Sequence, residues 1–184
     1  INVIILFIQN IKLRFKFFRY LEKVSSIYQG KGWDSGTVTS EINACLSLLK
    51  IKPKIFIDIG ANKGVYSRYI LKKFNDIECH LFEPSKYNYS ILKELFSTFK
   101  KVKINKIALS NHNDSNAKLF SDKAGSALSS LTKRRLDHLN IHMKIEEKIE
   151  IKRFDDYWKS NNSLIDFVKI DVEGHELDVL DGFG

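Results

Sequence analysis

Cysteine and proline are both scarce in this sequence, and each scarcity excludes a class of protein. Among the 184 residues there are two cysteines, Cys45 and Cys79, which are too few and too far apart for a disulfide framework or a cysteine-rich zinc site. Two prolines and nine glycines are too few for a long disordered linker. We therefore expect buried thiols in a reducing compartment, within a folded domain that has a core of its own.

The sequence also lacks an apolar run of membrane-spanning length. The run at the N-terminus stops at Gln9, whereas a spanning helix needs ~20 residues, and basic residues follow it in the reverse order of a secretory signal. Apolar residues recur at the spacing of one helix face, at Ile4, Ile8, Ile11, Phe15 and Phe18. This spacing predicts a helical extension over residues 1–40 of a cytoplasmic protein. Peripheral membrane contact through a basic surface helix, or the cytoplasmic end of a spanning segment, is the alternative.

Positive charge is in excess but is not concentrated. The formal net charge is +8, and the one dense basic run is Lys133, Arg134 and Arg135. Neither an RNA-binding aromatic signature nor a zinc-finger spacing accompanies this run. The pattern favours a solvated surface, and a nucleic-acid partner is the less favoured alternative.

Strand and helix patterns alternate from residue 54 onward. Buried strands rich in β-branched and aromatic residues are predicted over residues 54–60, 77–84 and 102–110. Helices are predicted over residues 63–74 and after Ser85, which can cap the second of them. The second helix carries an apolar stripe formed by Ile91, Leu92, Leu95, Phe96 and Phe99.

Residues 111–150 interrupt this rhythm with a polar turn, a short strand and a loop that holds at most one helical turn. The pattern then predicts a strand over residues 148–154, a short helix over 155–160, a buried strand over 164–174 and the start of a helix over 175–183. Such alternation predicts an α/β fold with a mostly parallel, doubly wound sheet, preceded by the N-terminal helical segment.

Glycine and acidic residues lie at the ends of the first two predicted strands. In "FIDIGANKGVYS", residues 56–67, Gly60 lets the chain leave the strand sharply and Gly64 lets the next helix pack closely. Asp58 can accept hydrogen bonds from a cationic or amide-rich ligand group. Glu83 ends the second strand, where a carboxylate can bind both hydroxyls of a ribose. Because ligands of open α/β sheets bind beyond the carboxyl ends of the strands, these residues predict a nucleoside site.

The glycine pattern excludes two common nucleotide sites. The dinucleotide fingerprint G-x-G-x-x-G would need glycine where Asn62 and Val65 stand, and the P-loop pattern is absent. An acid directly before the glycine turn suits a ligand that carries an ammonium group instead. S-adenosylmethionine has an ammonium group, a ribose and an adenine.

Segments at these strand ends resemble the FkbM-type methyltransferases, a branch of the Rossmann-like class I enzymes that use S-adenosylmethionine. The segments are "IDIGANKGVYS", "FEPSKYNYSILKE", "NKIALSN" and "DFVKIDVEGHELDVLDGF", and "FDDYW" resembles the family's Leu-Asp-Asp segment. The resemblance runs from about Glu41 to the last residue, so that residues 41–184 are expected to form the cofactor-binding methyltransferase domain. It implies O-methylation of a hydroxyl on a sugar, a glycan or a natural product.

The resemblance also implies roles for individual residues. The expected cofactor-binding residues are Asp58, Gly60, Ala61, Asn62, Gly64, Glu83 and Ala108. The expected catalytic residues, where methyl donor and acceptor meet, are Asp171, Glu173 and His175. We expect His175 or Asp171 to act as the base, with a divalent metal on Asp171 and Glu173 as the alternative. His80 is expected to be a core or surface residue, and His112, His138 and His142 lack ligand spacing.

The sequence leaves several questions open. The chain starts at Ile1 and stops within a predicted helix, so we expect a C-terminally incomplete domain in which the strand over residues 164–174 forms a sheet edge. A nucleic-acid methyltransferase of the same fold and an inactive nucleoside-binding module are the alternatives to a glycan or small-molecule enzyme. The acceptor, the metal requirement and the oligomeric state do not follow from the sequence.

Overall fold

A computed structural model describes Phe18, Leu21 and residues 35–49, 51–161 and 163–184. The chain divides into two units, residues 1–50 and 51–184. In the first unit, helix α1 spans Ser35–Leu48, and Phe18 and Leu21 are helical. The rest of the predicted N-terminal helix lies outside the described residues, and so does the membrane contact that was predicted for it as an alternative. The division into an extension over residues 1–40 and a domain over 41–184 stays a prediction.

The second unit alternates strands and helices. In chain order its elements are β1 (Ile55–Ile59), α2 (Val65–Lys73), β2 (Glu78–Phe82), α3 (Lys86–Leu95), β3 (Val102–Asn105), β4 (Ala108–Leu109), β5 (Asp114–Ser121), a 3-10 turn (Asp137–Leu139), β6 (Ile145–Lys152), α4 (Phe154–Trp158), β7 (Phe167–Ile170) and α5 (Glu176–Asp181). Four strands form a wholly parallel sheet in the order β3-β2-β1-β7. The predicted α/β fold with a mostly parallel sheet is confirmed.

A second, three-stranded sheet was not predicted. Its order is β4-β6-β5, with β4 parallel and β5 antiparallel to β6. The single strand predicted over residues 102–110 is wrong, because β3 pairs with β2 as far as Asn105 whereas Ala108 and Leu109 pair with β6. The apolar run "VKINKIAL" continues across the break, so its pattern could not show that the chain leaves one sheet for another.

The parallel sheet is most deeply buried at its centre. All five residues of β1 are buried, as expected for a strand with neighbours on both sides. Strand β7 pairs with β1 and forms one edge of this sheet. Its residues are half-buried rather than buried as predicted, because an edge strand has a neighbour on one side.

The helix after β2 matches its predicted stripe in part. Leu92 and Phe96 are buried, whereas Phe99, beyond the end of α3, is exposed. Ser85 occupies the N-cap position of α3, but its side chain makes no capping hydrogen bond. Its backbone N–H donates instead to Oε1 of Glu83 at 3.0 Å.

Both cysteines are free; Cys79 is buried and Cys45 is half-buried. Burial is also the main reason that the pKa of the Cys79 thiol is raised to about 12, so this thiol is the inert core residue that we expected. Within the described ranges, no helix combines the length and the apolar character that crossing a membrane requires.

Candidate functional site

A cavity opens at the carboxyl ends of β1, β2 and β7, where the parallel strands end together. The predicted residues that line it are Gly60, Asn62, Glu83, Ala108, Asp171, Glu173 and His175. The cavity thus brings the expected cofactor acid and the expected catalytic residues to one space. Asp58, Ala61 and Gly64 are absent from its lining.

The two glycines of the turn after β1 are required by close packing. A Cβ on Gly60 would lie 2.0 Å from the backbone oxygen of Asp171, and one on Gly64 would lie 2.7 Å from Cε2 of Phe96. Both glycines have a positive φ, 75° and 73°, which L-residues with a side chain rarely adopt. Gly60 therefore lets the β1 turn meet β7 at the cavity, and Gly64 lets α2 begin against the apolar face of α3.

Asp58 is held entirely by groups of the chain itself. Its side chain is fully buried; Oδ2 accepts a hydrogen bond from Oγ of Ser67 at 2.5 Å, and Oδ1 lies 3.2 Å from Nζ of Lys169. Lys169 also donates to the backbone oxygen of Gly60 at 2.8 Å. A lysine ammonium thus occupies the position that we expected for a ligand's cationic group. Sequence reasoning missed Lys169, although a lysine within the apolar strand "FVKI" was a visible signal.

Glu83 is a buried carboxylate in the cavity wall, 5% exposed. Oε2 accepts a hydrogen bond from the backbone N–H of Asn62 at 2.8 Å, and Oε1 accepts one from Ser85 at 3.0 Å. Burial raises the pKa of Glu83 to about 7, against the opposing effects of hydrogen bonds from Ser85, Asn62 and Asn88 and of the charge on Lys169. The carboxyl group is positioned by backbone groups at the tip of β2, and it becomes a stronger acceptor as it ionises near neutral pH.

Two amide oxygens beside this acid have no partner. Oδ1 of Asn62 and Oδ1 of Asn88 are buried without a hydrogen bond, and both residues line the cavity. Buried acceptors without a partner are uncommon in folded proteins and cost free energy. The Glu83 end of the cavity is therefore suited to a ligand that presents several hydrogen-bond donors.

The carboxylates after β7 differ in how they are held. The side chain of Asp171 is 65% exposed and lies 3.7 Å from Nζ of Lys169. Glu173 has a φ of 57°, and its Oε2 accepts a hydrogen bond from Nη1 of Arg134 at 2.9 Å. The Glu173 backbone oxygen accepts another from Oγ of Ser130 at 3.1 Å. Asp171 is thus the more accessible carboxylate, while Glu173 is tied to the loop that contains the basic run.

His175 is oriented at both ring nitrogens. Nε2 lies 2.9 Å from Oγ of Ser110, and Nδ1 lies 3.0 Å from Oδ2 of Asp178. Asn111 donates to the other oxygen of Asp178 at 2.9 Å. A carboxylate on one ring nitrogen fixes the orientation of an imidazole, so these groups position His175 at the cavity wall. Ser110, Asn111 and Asp178 gave no recognisable signal in the sequence.

The remaining histidines lie away from the cavity. His80 is buried, with Nδ1 2.7 Å from the hydroxyl of Tyr157 and Nε2 2.8 Å from Oε1 of Glu78, and burial is the main reason that its pKa is lowered. His80 therefore belongs to the core. His112, His138 and His142 are exposed.

A divalent metal does not fit the two carboxylates after β7. Glu173 is paired with Arg134, so binding a metal there would require this ion pair to be broken. In the part of the chain that the structure describes, no three His, Cys, Asp or Glu side chains are grouped so that they could hold a metal ion. The residues present do not support the metal alternative.

A family model described as "Methyltransferase FkbM domain" matches residues 58–184. No curated protein matches the chain. The matched segment includes the residues of the parallel sheet from Asp58 onward and all of the cavity lining.

Similar solved structures share limited parts of the fold. A structure of coclaurine N-methyltransferase bound to N-methylheliamine and SAH has a TM-score of 0.33 and 11% identity, covering 38% of this chain and 21% of its own. The plantazolicin methyltransferase BamL, in complex with a triazolic desmethylPZN analog and SAH, has a TM-score of 0.32 and 21% identity, covering 53% and 34%. BpumL with SAH has a TM-score of 0.32 and 16% identity, covering 55% and 37%. The chain therefore spans between about a fifth and two fifths of these proteins.

Proposed function

The chain belongs to the FkbM methyltransferase domain family, and from this premise we propose that the protein is an S-adenosylmethionine-dependent O-methyltransferase. Its acceptor is a hydroxyl group of a sugar, a glycan or a natural product. The observation that carries the proposal is the cavity, whose lining includes Glu83 together with Asp171, Glu173 and His175. Such a site offers a nucleoside-binding acid and acceptor-binding groups within one space.

The residues at the Glu83 end fit the cofactor. The carboxylate and the unpartnered Oδ1 of Asn62 are acceptors for ribose hydroxyls, and Ala108, with its neighbour Ile107, forms an apolar wall for the adenine. Because Gly60 has no side chain, a ligand can approach the backbone of this turn closely. When bound, S-adenosylmethionine supplies an electrophilic methyl group, so the protein needs mainly to align donor and acceptor.

The other predicted cofactor residues act from outside the cavity. Asp58 neutralises Lys169, which in turn holds the backbone oxygen of Gly60. Ala61 and Gly64 shape the turn: the backbone N–H of Ala61 donates to the oxygen of Phe82 at 3.0 Å, and that of Gly64 donates to the oxygen of Ala61 at 2.8 Å. We infer that these residues contribute to cofactor binding by positioning the turn.

Asp171 is the base that the geometry favours. A sugar hydroxyl is a poor nucleophile at neutral pH and needs a base within hydrogen-bond reach. Asp171 is exposed at the cavity, whereas both ring nitrogens of His175 are occupied by Ser110 and Asp178. We therefore assign proton removal to Asp171 and orientation of the acceptor to His175 and Glu173.

The loop opposite these residues supports a hydroxyl-rich acceptor. Three of its serines, Ser126, Ser129 and Ser130, line the cavity. Ser129 and Ser130 already donate to backbone oxygens of the chain at 3.0 and 3.1 Å. A hydroxyl oxygen has two acceptor lone pairs, so these groups can still accept from the hydroxyls of a sugar or another polyol.

The test is a comparison of Asp171→Asn and His175→Ala with Asp76→Asn, a control at an exposed carboxylate before β2. Turnover is measured with sugar acceptors, and the affinity for S-adenosylhomocysteine is measured by calorimetry. We expect Asp171→Asn to lower kcat on the order of 10²-fold, with a smaller loss in His175→Ala and unchanged affinity in both. Wild-type turnover in Asp171→Asn would place the base elsewhere. Absence of any binding by the wild-type protein would contradict the proposal as a whole.

A further inference from the structure

Asn88 is a buried polar residue that faces the cavity and was not predicted as a site residue. It is the third residue of α3, it is 1% exposed, and it lines the cavity. Its Oδ1 has no hydrogen-bond partner. A helical asparagine as deeply buried as this one is normally satisfied by neighbouring groups, so the free oxygen points to a partner that the chain does not supply.

No donor group in the described part of the chain forms a hydrogen bond with the side-chain oxygen of Asn88. The Asn88 side chain stabilises the ionised form of Glu83 by hydrogen bonding, which turns the donor side of the amide toward that acid. On the oxygen side lies Gly125, where an added Cβ would be 3.1 Å from Oδ1 and 2.5 Å from Cδ1 of Tyr87. Only a glycine lets this loop approach so closely, and the loop supplies no hydrogen bond to Oδ1.

The residues around Glu83 offer several acceptor oxygens without a partner among the described residues or with capacity for a further bond. Glu83, Asn62 and Asn88 all line the cavity, and Oδ1 of each asparagine has no hydrogen-bond partner. A phosphate or carboxylate would be repelled there, whereas adenosine carries matching donors in its two ribose hydroxyls and its exocyclic amine. The number and kind of polar groups therefore favour a nucleoside with a complete set of donors.

We propose that Asn88 binds the cofactor directly, and that its Oδ1 accepts a hydrogen bond from a donor group of the nucleoside. This assignment rests on the proposed function. The donor is either the exocyclic amine of the base or a ribose hydroxyl, because these are the N–H and O–H groups that adenosine carries. Asn88 is then a specificity residue as well as a support for Glu83.

The test is calorimetric binding, which does not depend on turnover. The wild-type protein, Asn88→Ala and the control Ser90→Ala, an exposed position on the same helix, are titrated with S-adenosylhomocysteine and with analogues that each lack one donor. S-inosylhomocysteine lacks the amine, and 2′-deoxy and 3′-deoxy forms each lack a hydroxyl. We expect Asn88→Ala to weaken S-adenosylhomocysteine binding about tenfold, and Ser90→Ala to leave it unchanged.

The analogues identify the donor. For the analogue that lacks the partner of Asn88, the wild-type protein and Asn88→Ala should bind with equal affinity, while the other analogues keep the difference. The deoxy titrations are repeated in the Glu83→Gln background, so that an effect transmitted through Glu83 is removed. Should Asn88→Ala fail to fold, Asn88→Asp, which keeps an acceptor oxygen, is titrated in the Glu83→Gln background and is expected to lose affinity only for the analogue that lacks the donor to position 88. Equal affinity for all the analogues in that background would contradict the assignment.

Two results would overturn the assignment of Asn88. One is an equal loss of affinity for every ligand in Asn88→Ala, which would indicate support of Glu83 alone. The other is a wild-type protein that does not distinguish among the analogues. Failure of the wild-type protein to bind S-adenosylhomocysteine at all is a separate outcome, which would contradict the proposed function.

Discussion

Glu83 should make both cofactor affinity and stability depend on pH near neutrality. Burial raises its pKa from an ordinary value of 4.5 to about 7. Between these values the folded protein binds more protons at this site than the unfolded chain, so the free energy of unfolding decreases as pH rises through the interval. At 1.36 kcal/mol per pKa unit, the decrease that this group contributes is ~3 kcal/mol.

Cofactor binding should respond in the opposite direction. The ionised carboxylate accepts hydrogen bonds from ribose hydroxyls, and such charge-assisted bonds contribute about 1.5–3 kcal/mol. Protonation removes this acceptor strength, so affinity should decrease as pH falls through 7. The expected decrease is at most about tenfold per pH unit below the pKa. Calorimetry with S-adenosylhomocysteine from about pH 8 to about pH 5.5, at constant ionic strength, measures this slope directly.

Glu83→Gln is the matched control for this titration. It keeps the shape of the side chain and leaves in place the other ionisable groups near Glu83 or in the cavity lining, which are Lys169, Asp171, Glu173 and His175. We expect weaker binding than in the wild-type protein above pH 7 and little dependence on pH below it. A wild-type affinity that is constant over the range would refute the reasoning. A decline of the same size in Glu83→Gln would assign the effect to a group other than Glu83.

Two further predictions concern stability and are checked by chemical denaturation. Gly64→Ala should lower the free energy of unfolding by ~1–3 kcal/mol, because the new Cβ would lie 2.7 Å from Phe96. The loss should exceed that of Gly174→Ala, where the positive φ is strained but the space is open, and equal losses would contradict the packing argument. Lys169→Met should cost ~3–5 kcal/mol, because the fully buried Asp58 is left without a countercharge. Adding Asp58→Asn should recover part of this loss, and a double variant no more stable than Lys169→Met would show that the ion pair is not its source.

Short-range pattern was enough to predict the elements that frame the cavity. The apolar run of β1 and its exit at Gly60 follow from residue types, because β-branched and aromatic residues favour a buried strand and glycine permits the turn. Pro84 likewise marks the end of β2. Once the strands are parallel, their carboxyl ends must lie at one edge, so the convergence of Glu83 and Asp171 on one cavity could also be predicted.

Which polar groups pair with one another was decided only by the tertiary structure. Lys169 meets Asp58 because β7 pairs with β1 in that register, and Ser110 meets His175 across 65 positions of sequence. Two further features depend on contacts between segments that are distant in sequence. They are the Oδ1 atom of Asn88 without a hydrogen-bond partner and the pairing of residues 108–109 with a strand of the second sheet. Periodicity reports which face of an element is buried. It carries no information about which polar atoms meet there, because that depends on the register and separation of elements after they have packed.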